Sequence, residues 1–174
     1  MSIRLSRMAV PAALFAAASP AVAHITLETA AAPAGSYYKA VFRVSHGCSG
    51  APTTAIRVRI PDGAASVKPQ PKPGWQLAIV KAAPKDGGHA SHAGHGHAGA
   101  VAEIAWTGGP LANEHYDEFV LRLKLPDAPG TVLRFPVVQT CTEGELRWVE
   151  ILDPAKPASH DRRPAPALRL EARP

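Results

Sequence analysis

Apolar residues recur at every second position in one short segment after another, and Gly or Pro interrupts each run before a helical period develops. From Ser36 to Val44, the residues Tyr38, Ala40, Phe42 and Val44 alternate with Tyr37, Lys39 and Arg43. Thr54 to Ile60 sets Ile56, Val58 and Ile60 against Arg57 and Arg59, and Pro61-Asp62-Gly63 closes it as a turn. Phe119 to Leu125 sets Phe119, Leu121, Leu123 and Leu125 against Arg122 and Lys124. Trp75 to Val80, Val101 to Trp106, Val132 to Val138 and Glu145 to Ile151 are further strand candidates. One buried face per strand predicts two sheets packed on each other, an all-β antiparallel sandwich of immunoglobulin or cupredoxin type in a single domain.

The N-terminus reads as a cleavable leader. Arg4 and Arg7 precede a short apolar stretch from Met8 to Ala18, and Ala21-Val22-Ala23 supplies a small-x-small peptidase site. Residues 1–23 are therefore a predicted signal peptide, and removing them leaves 151 residues beginning at His24, enough for one domain with a core. The formal charge falls from +5 to +3 on losing the two leader arginines. No basic stripe with interleaved aromatics is visible, which argues against nucleic acid as a partner. No later apolar run reaches transmembrane length, so the mature chain is expected to have no membrane span and to reside in a bacterial periplasm.

Cys48 and Cys141 are the only cysteines. In an oxidising compartment an even pair is most simply a disulfide, and closing so long a loop stabilises the fold by about 4 to 5 kcal/mol on the chain-entropy model. A catalytic thiol at Cys48, with His46 two residues away, is the competing reading.

The sandwich domain is placed at 24–153, with two segments set apart from its core. Residues 87–100 are a flexible Gly/Ala/His loop in which His89, His92, His95 and His97 form an accessory metal-collecting set without preorganisation. Residues 154–174 read as a Pro-rich C-terminal tail. Trp75, Trp106, Tyr37, Tyr38 and Tyr116 are assigned to packing, Lys68-Pro69 and Lys72-Pro73 to surface turns, and Glu114, Asp117 and Glu118 to solvated surface.

Cleavage before His24 gives that residue a free α-amine beside its own imidazole. The amine and Nδ1 close a six-membered chelate on one ion, and such nitrogen pairs suit Cu(II). The competing reading is that the peptidase merely happens to cut before a histidine.

The chain resembles the YcnI-like copper-binding domain of exported bacterial proteins. The resemblance runs from His24-Ile25-Thr26-Leu27-Glu28 through Ala34-Gly35-Ser36-Tyr37, Phe42-Arg43-Val44, Pro52-Thr53-Thr54, Val67-Lys68-Pro69 and Pro73-Gly74-Trp75. It continues in order through Trp106-Thr107-Gly108-Gly109, Phe135-Pro136-Val137-Val138-Gln139 and Arg147-Trp148-Val149-Glu150. It implies a β-sandwich that binds Cu(II) through a monohistidine brace at His24, with Trp148 packed beside the metal. Relatives carry a carboxylate in the loop that here reads Val44-Ser45-His46-Gly47-Cys48, with no acidic residue. His46 is the preferred replacement, with Glu28 and Glu150 as the other candidates for a third ligand. A loop histidine bonded to backbone beside a disulfide is the alternative for His46.

Both methionines leave with the leader, so with the cysteines bridged no soft sulfur remains for Cu(I) or a blue-copper site. The expected function is a periplasmic Cu(II)-binding protein in copper trafficking, acquisition or tolerance, with other copper-handling proteins as partners and no enzymatic role. A mono-copper oxygenase and a metal-free interaction domain are the alternatives. No Gly-x-Ser-x-Gly elbow or His-Glu-x-x-His helix supports a hydrolase.

Overall fold

The computed structural model describes residues 24–83, 99–152 and 162–173, and every regular element among them is a β-strand. In chain order these are β1 (Thr26–Leu27), β2 (Ala31–Pro33), β3 (Tyr37–Val44), β4 (Thr53–Arg59), β5 (Ala65–Pro69) and β6 (Trp75–Lys81). They continue with β7 (Val101–Leu111), β8 (Asp117–Lys124), β9 (Val132–Arg134), β10 (Val137–Cys141), β11 (Glu145–Trp148) and β12 (Ala167–Glu171). One sheet has the order β1-β3-β8-β5, a second β11-β10-β4-β7-β6, and a third, smaller one β2-β12-β9. All pairings are antiparallel except that of β12 with β2. The expected all-β sandwich is present.

Alternation in the sequence becomes burial in the fold. Tyr38, Ala40, Phe42 and Val44 of β3, and Phe119, Leu121 and Leu123 of β8, turn inward from one sheet. Ile56 and Val58 of β4, Ile104 and Trp106 of β7, and Val137 and Trp148 from β10 and β11 meet them from the other. Phe119 takes the edges of both Trp75 and Trp106, with centroids 4.9 and 5.6 Å away, and the Trp106 indole N–H donates to the Gln70 carbonyl at 3.0 Å. Trp75 and Trp106 are packing residues, as expected. β7 runs on beyond the expected turn through Gly108 and Gly109. Gly109 has φ +80°, and an added Cβ would strike the Trp75 ring at 2.8 Å, so only glycine lets the two strands approach here.

Several expectations need correction. The segment from Val132 to Val138 is two strands in different sheets, because Pro136 has no N–H for a ladder and the chain crosses from β9 to β10 there. The C-terminal segment is not merely a tail. Leu168 and Leu170 of β12 are buried at 0% and 1% exposure, between β2 and β9. Pro164 and Pro166 precede the strand rather than interrupt it, so the proline content did not preclude pairing. Of the tyrosines only Tyr38 is in the core. Tyr37 and Tyr116 are exposed, and the Arg122 guanidinium stacks over the Tyr37 ring at 3.7 Å. Lys68-Pro69 belongs to β5, and Lys72 pairs with Asp117 while lying 5.2 Å from the Phe119 ring centroid. Asp117 is thus a partner in a half-buried ion pair rather than solvated surface. The expected leader at 1–23, the histidines His89, His92, His95 and His97, and residues 153–161 lie outside the described residues.

Candidate metal centre

Three chain segments meet at the inner end of β11. Trp148, the last residue of that strand, pairs with Val137 and is 3% exposed, so its indole forms part of the sandwich floor. His24 lies just before β1, anchored by the buried Ile25, and its ring centroid is 5.4 Å from that of Trp148 with planes tilted by 58°. His46, in the loop after β3, meets the same indole edge-on at 6.1 Å and 70°. The structure therefore brings His24 and His46 to the buried ring of Trp148, which lies more than a hundred positions from either in sequence.

The ring protons follow from the acceptors. His24 Nε2 lies 3.3 Å from the Arg162 carbonyl. A carbonyl only accepts, so this contact places a proton on Nε2. His46 Nδ1 faces the Gly47 carbonyl and by the same argument bears a proton.

The loop bearing His46 is fastened to β10 twice. Cys48 and Cys141 form a disulfide with Cα atoms 5.9 Å apart, as expected. Gln139, two residues before Cys141 and fully buried, donates from its carboxamide nitrogen to the His46 carbonyl at 2.7 Å and to Thr53 Oγ1 at 2.8 Å. Its carboxamide oxygen accepts the Trp148 indole N–H at 3.2 Å. The Gly47 N–H donates to Asn113 Oδ1 at 3.1 Å. A side chain at position 47 would collide with the Ala51 carbonyl, so the turn between His46 and Cys48 requires glycine.

The other candidate ligands are engaged elsewhere. Glu28 pairs with Arg43 at 3.3 Å, and Glu150 accepts the Arg163 N–H at 3.1 Å. Among the described residues no group of three or more His, Cys, Asp or Glu side chains is assembled as a metal site. The described side chains thus assemble no cage by themselves, and a six-membered chelate at His24 needs its amine and Nδ1 together. The residues present fit Cu(II) on that condition.

Gln139, Asn113 and the Arg162 carbonyl were not marked from sequence. Gln139 was findable: parity with Val137 and Cys141 turns it inward, and an inward carboxamide in a strand demands partners. A backbone carbonyl such as that of Arg162 leaves no compositional signal.

Among the described residues no helix is long and apolar enough to cross a membrane. A solved structure of a protein from Nocardia farcinica, described as uncharacterized with an immunoglobulin-like fold, is 27% identical with a TM-score of 0.64, over 85% of this chain and 98% of that one. No curated protein matches the chain. A family model described as a domain of unknown function, DUF1775, matches residues 24–170, from the candidate ligand His24 to the buried Leu170 of β12. The chain therefore belongs to the DUF1775 family, the one to which YcnI-like proteins belong.

Proposed function

We propose that this is an exported, periplasmic Cu(II)-binding protein serving copper trafficking, acquisition or tolerance. The amine and Nδ1 of His24 and the imidazole of His46 hold the ion beside Trp148. The observation that carries this reading is the convergence of two imidazoles on one buried indole, at 5.4 and 6.1 Å. Support also comes from the disulfide, which suits an oxidising compartment, and from a family match that begins at His24. The donor set is nitrogen only, which suits Cu(II) rather than Cu(I). The test is the Cu(II) electron paramagnetic resonance spectrum of protein processed to begin at His24. Three equatorial nitrogens are expected, and failure to bind one equivalent of Cu(II) tightly overturns the reading in favour of a metal-free interaction domain.

Two imidazoles on one copper ion are also what a mono-copper oxygenase requires. Reductant-dependent hydrogen peroxide formation by the copper-loaded protein separates the two. A binding protein is expected to produce no more than free copper at equal concentration.

A further inference from the structure

Gln139 is the one fully buried carboxamide in the described core, and each of its polar groups is used. Burying such a group without partners costs a few kcal/mol. Here both amide protons are donated, to the His46 carbonyl and to Thr53 Oγ1, and the oxygen accepts from Trp148. Turning the amide over would set its NH2 against the indole N–H and its oxygen against the His46 carbonyl, so only one orientation is compatible with both neighbours.

We propose that Gln139 is a positioning residue that fixes the second imidazole and the indole of the metal site relative to each other, a role that rests on the Cu(II)-binding reading above. It acts on His46 through that residue's carbonyl, not through its ring. The Cys48–Cys141 bridge holds the same loop two residues further along both segments, so the bond from Gln139 selects where His46 lies within a loop already tethered. Thr53, the third partner, accepts from the amide and lies with its hydroxyl 3.9 Å from the Cys141 sulfur.

The full processed chain beginning at His24 is compared in three forms: wild type, Gln139→Met and Thr53→Val. Methionine keeps the length and most of the volume of glutamine but makes none of the three hydrogen bonds, while valine removes one partner and leaves the links to His46 and Trp148. One equivalent of Cu(II) is the probe, read by electron paramagnetic resonance and by competition affinity. Gln139→Met is expected to lose one equatorial nitrogen and to bind about 10- to 100-fold more weakly, the scale on which outer-shell partners act. Thr53→Val is expected to lower Tm yet keep the wild-type spectrum. Should Gln139→Met fail to fold, Gln139→Glu retains an acceptor for the indole, loses the donor to His46, and is expected to show the same loss of a nitrogen. A Gln139 variant that folds with the wild-type spectrum and affinity overturns the positioning role while leaving copper binding intact. A wild-type protein that takes up no Cu(II) overturns both.

Discussion

His24 Nε2 lies 3.3 Å from the carbonyl oxygen of Arg162, so the residue expected to open the mature chain is held by the segment that ends it. That segment is tied down in turn: the Glu150 N–H donates to the Arg163 carbonyl, the Ala165 N–H donates back to the Glu150 carbonyl, and β12 carries Leu168 and Leu170 into the core. Truncating either leucine to alanine is expected to cost about 2 to 5 kcal/mol. Chemical denaturation of Leu170→Ala checks this, and a change under 1 kcal/mol would mean that the strand is dispensable.

The two main sheets were legible because their strands are amphipathic with period two, and in β3 and β8 nearly every inward position could be named from the sequence. β1, β2, β5 and β12 were missed because two to five residues are too few to establish a period. Their strand character comes from neighbours that accept their backbone groups, which is tertiary information. At the site, His24, His46 and Trp148 were identified individually, from a cleavage motif, a ligand type and a family resemblance. What brings them together is different in kind: a buried glutamine, a main-chain carbonyl and a disulfide, of which the sequence marked only the last.

The Cys48–Cys141 bridge has a double role, in stability and in placing His46. Replacing both cysteines with alanine is expected to lower stability by about 2 to 5 kcal/mol, since a loop of 93 residues in sequence separation is released in the unfolded chain. Cu(II) affinity is expected to fall as well, though less than on losing His46 itself, because the Gln139 bond remains. Titration of the folded double variant at low temperature measures this. Unchanged affinity would show that the bridge serves stability alone.

Tyr38 ties the turn that follows β1 to the core: its hydroxyl donates to the Thr29 carbonyl at 2.9 Å and lies 3.1 Å from Thr29 Oγ1. Burial, with a smaller contribution from the Glu28 charge, pushes the phenol above its ordinary value of 10.0. The unfolded chain therefore loses this proton first, and its contribution to stability, complete below pH 10, declines as pH rises through the folded value. Tyr38→Phe is expected to lose about 0.5 to 1.5 kcal/mol at neutral pH through the hydrogen bond. Its stability should then fall less steeply than that of the wild type above pH 10. Parallel alkaline melts of the two proteins decide it.

The histidines His89, His92, His95 and His97 fall in the sequence between β6 and β7. Deleting them is expected to remove weakly held Cu(II) equivalents and to leave the tightest one. The physical ground is preorganisation: Gly and Ala spacing fixes no imidazole, whereas Trp148 and Gln139 hold theirs from within the core. Loss of the tight equivalent in the deletion variant would move the function to that loop.

The free amine gives the sharpest test of the site. His24 Nε2 is directed at the Arg162 carbonyl, and Nδ1 is the ring nitrogen close enough to the α-amine to share an ion with it. A single glycine added before His24 moves the amine one residue away and leaves in its place a peptide nitrogen, which donates only after Cu(II) displaces its proton, while keeping the imidazole and its contact with Trp148. His24→Ala removes the imidazole and keeps the amine. Both changes leave the core intact, because the anchoring contact belongs to Ile25, which is 3% exposed. With the histidine-rich loop deleted from all forms, both variants are therefore expected to fold as the wild type does and to lose the tight Cu(II) equivalent. Isothermal titration of the three proteins reads this directly. Should the glycine-extended form bind as tightly as the processed one and give the same electron paramagnetic resonance spectrum, the ion is held by side chains alone and the brace at His24 is wrong.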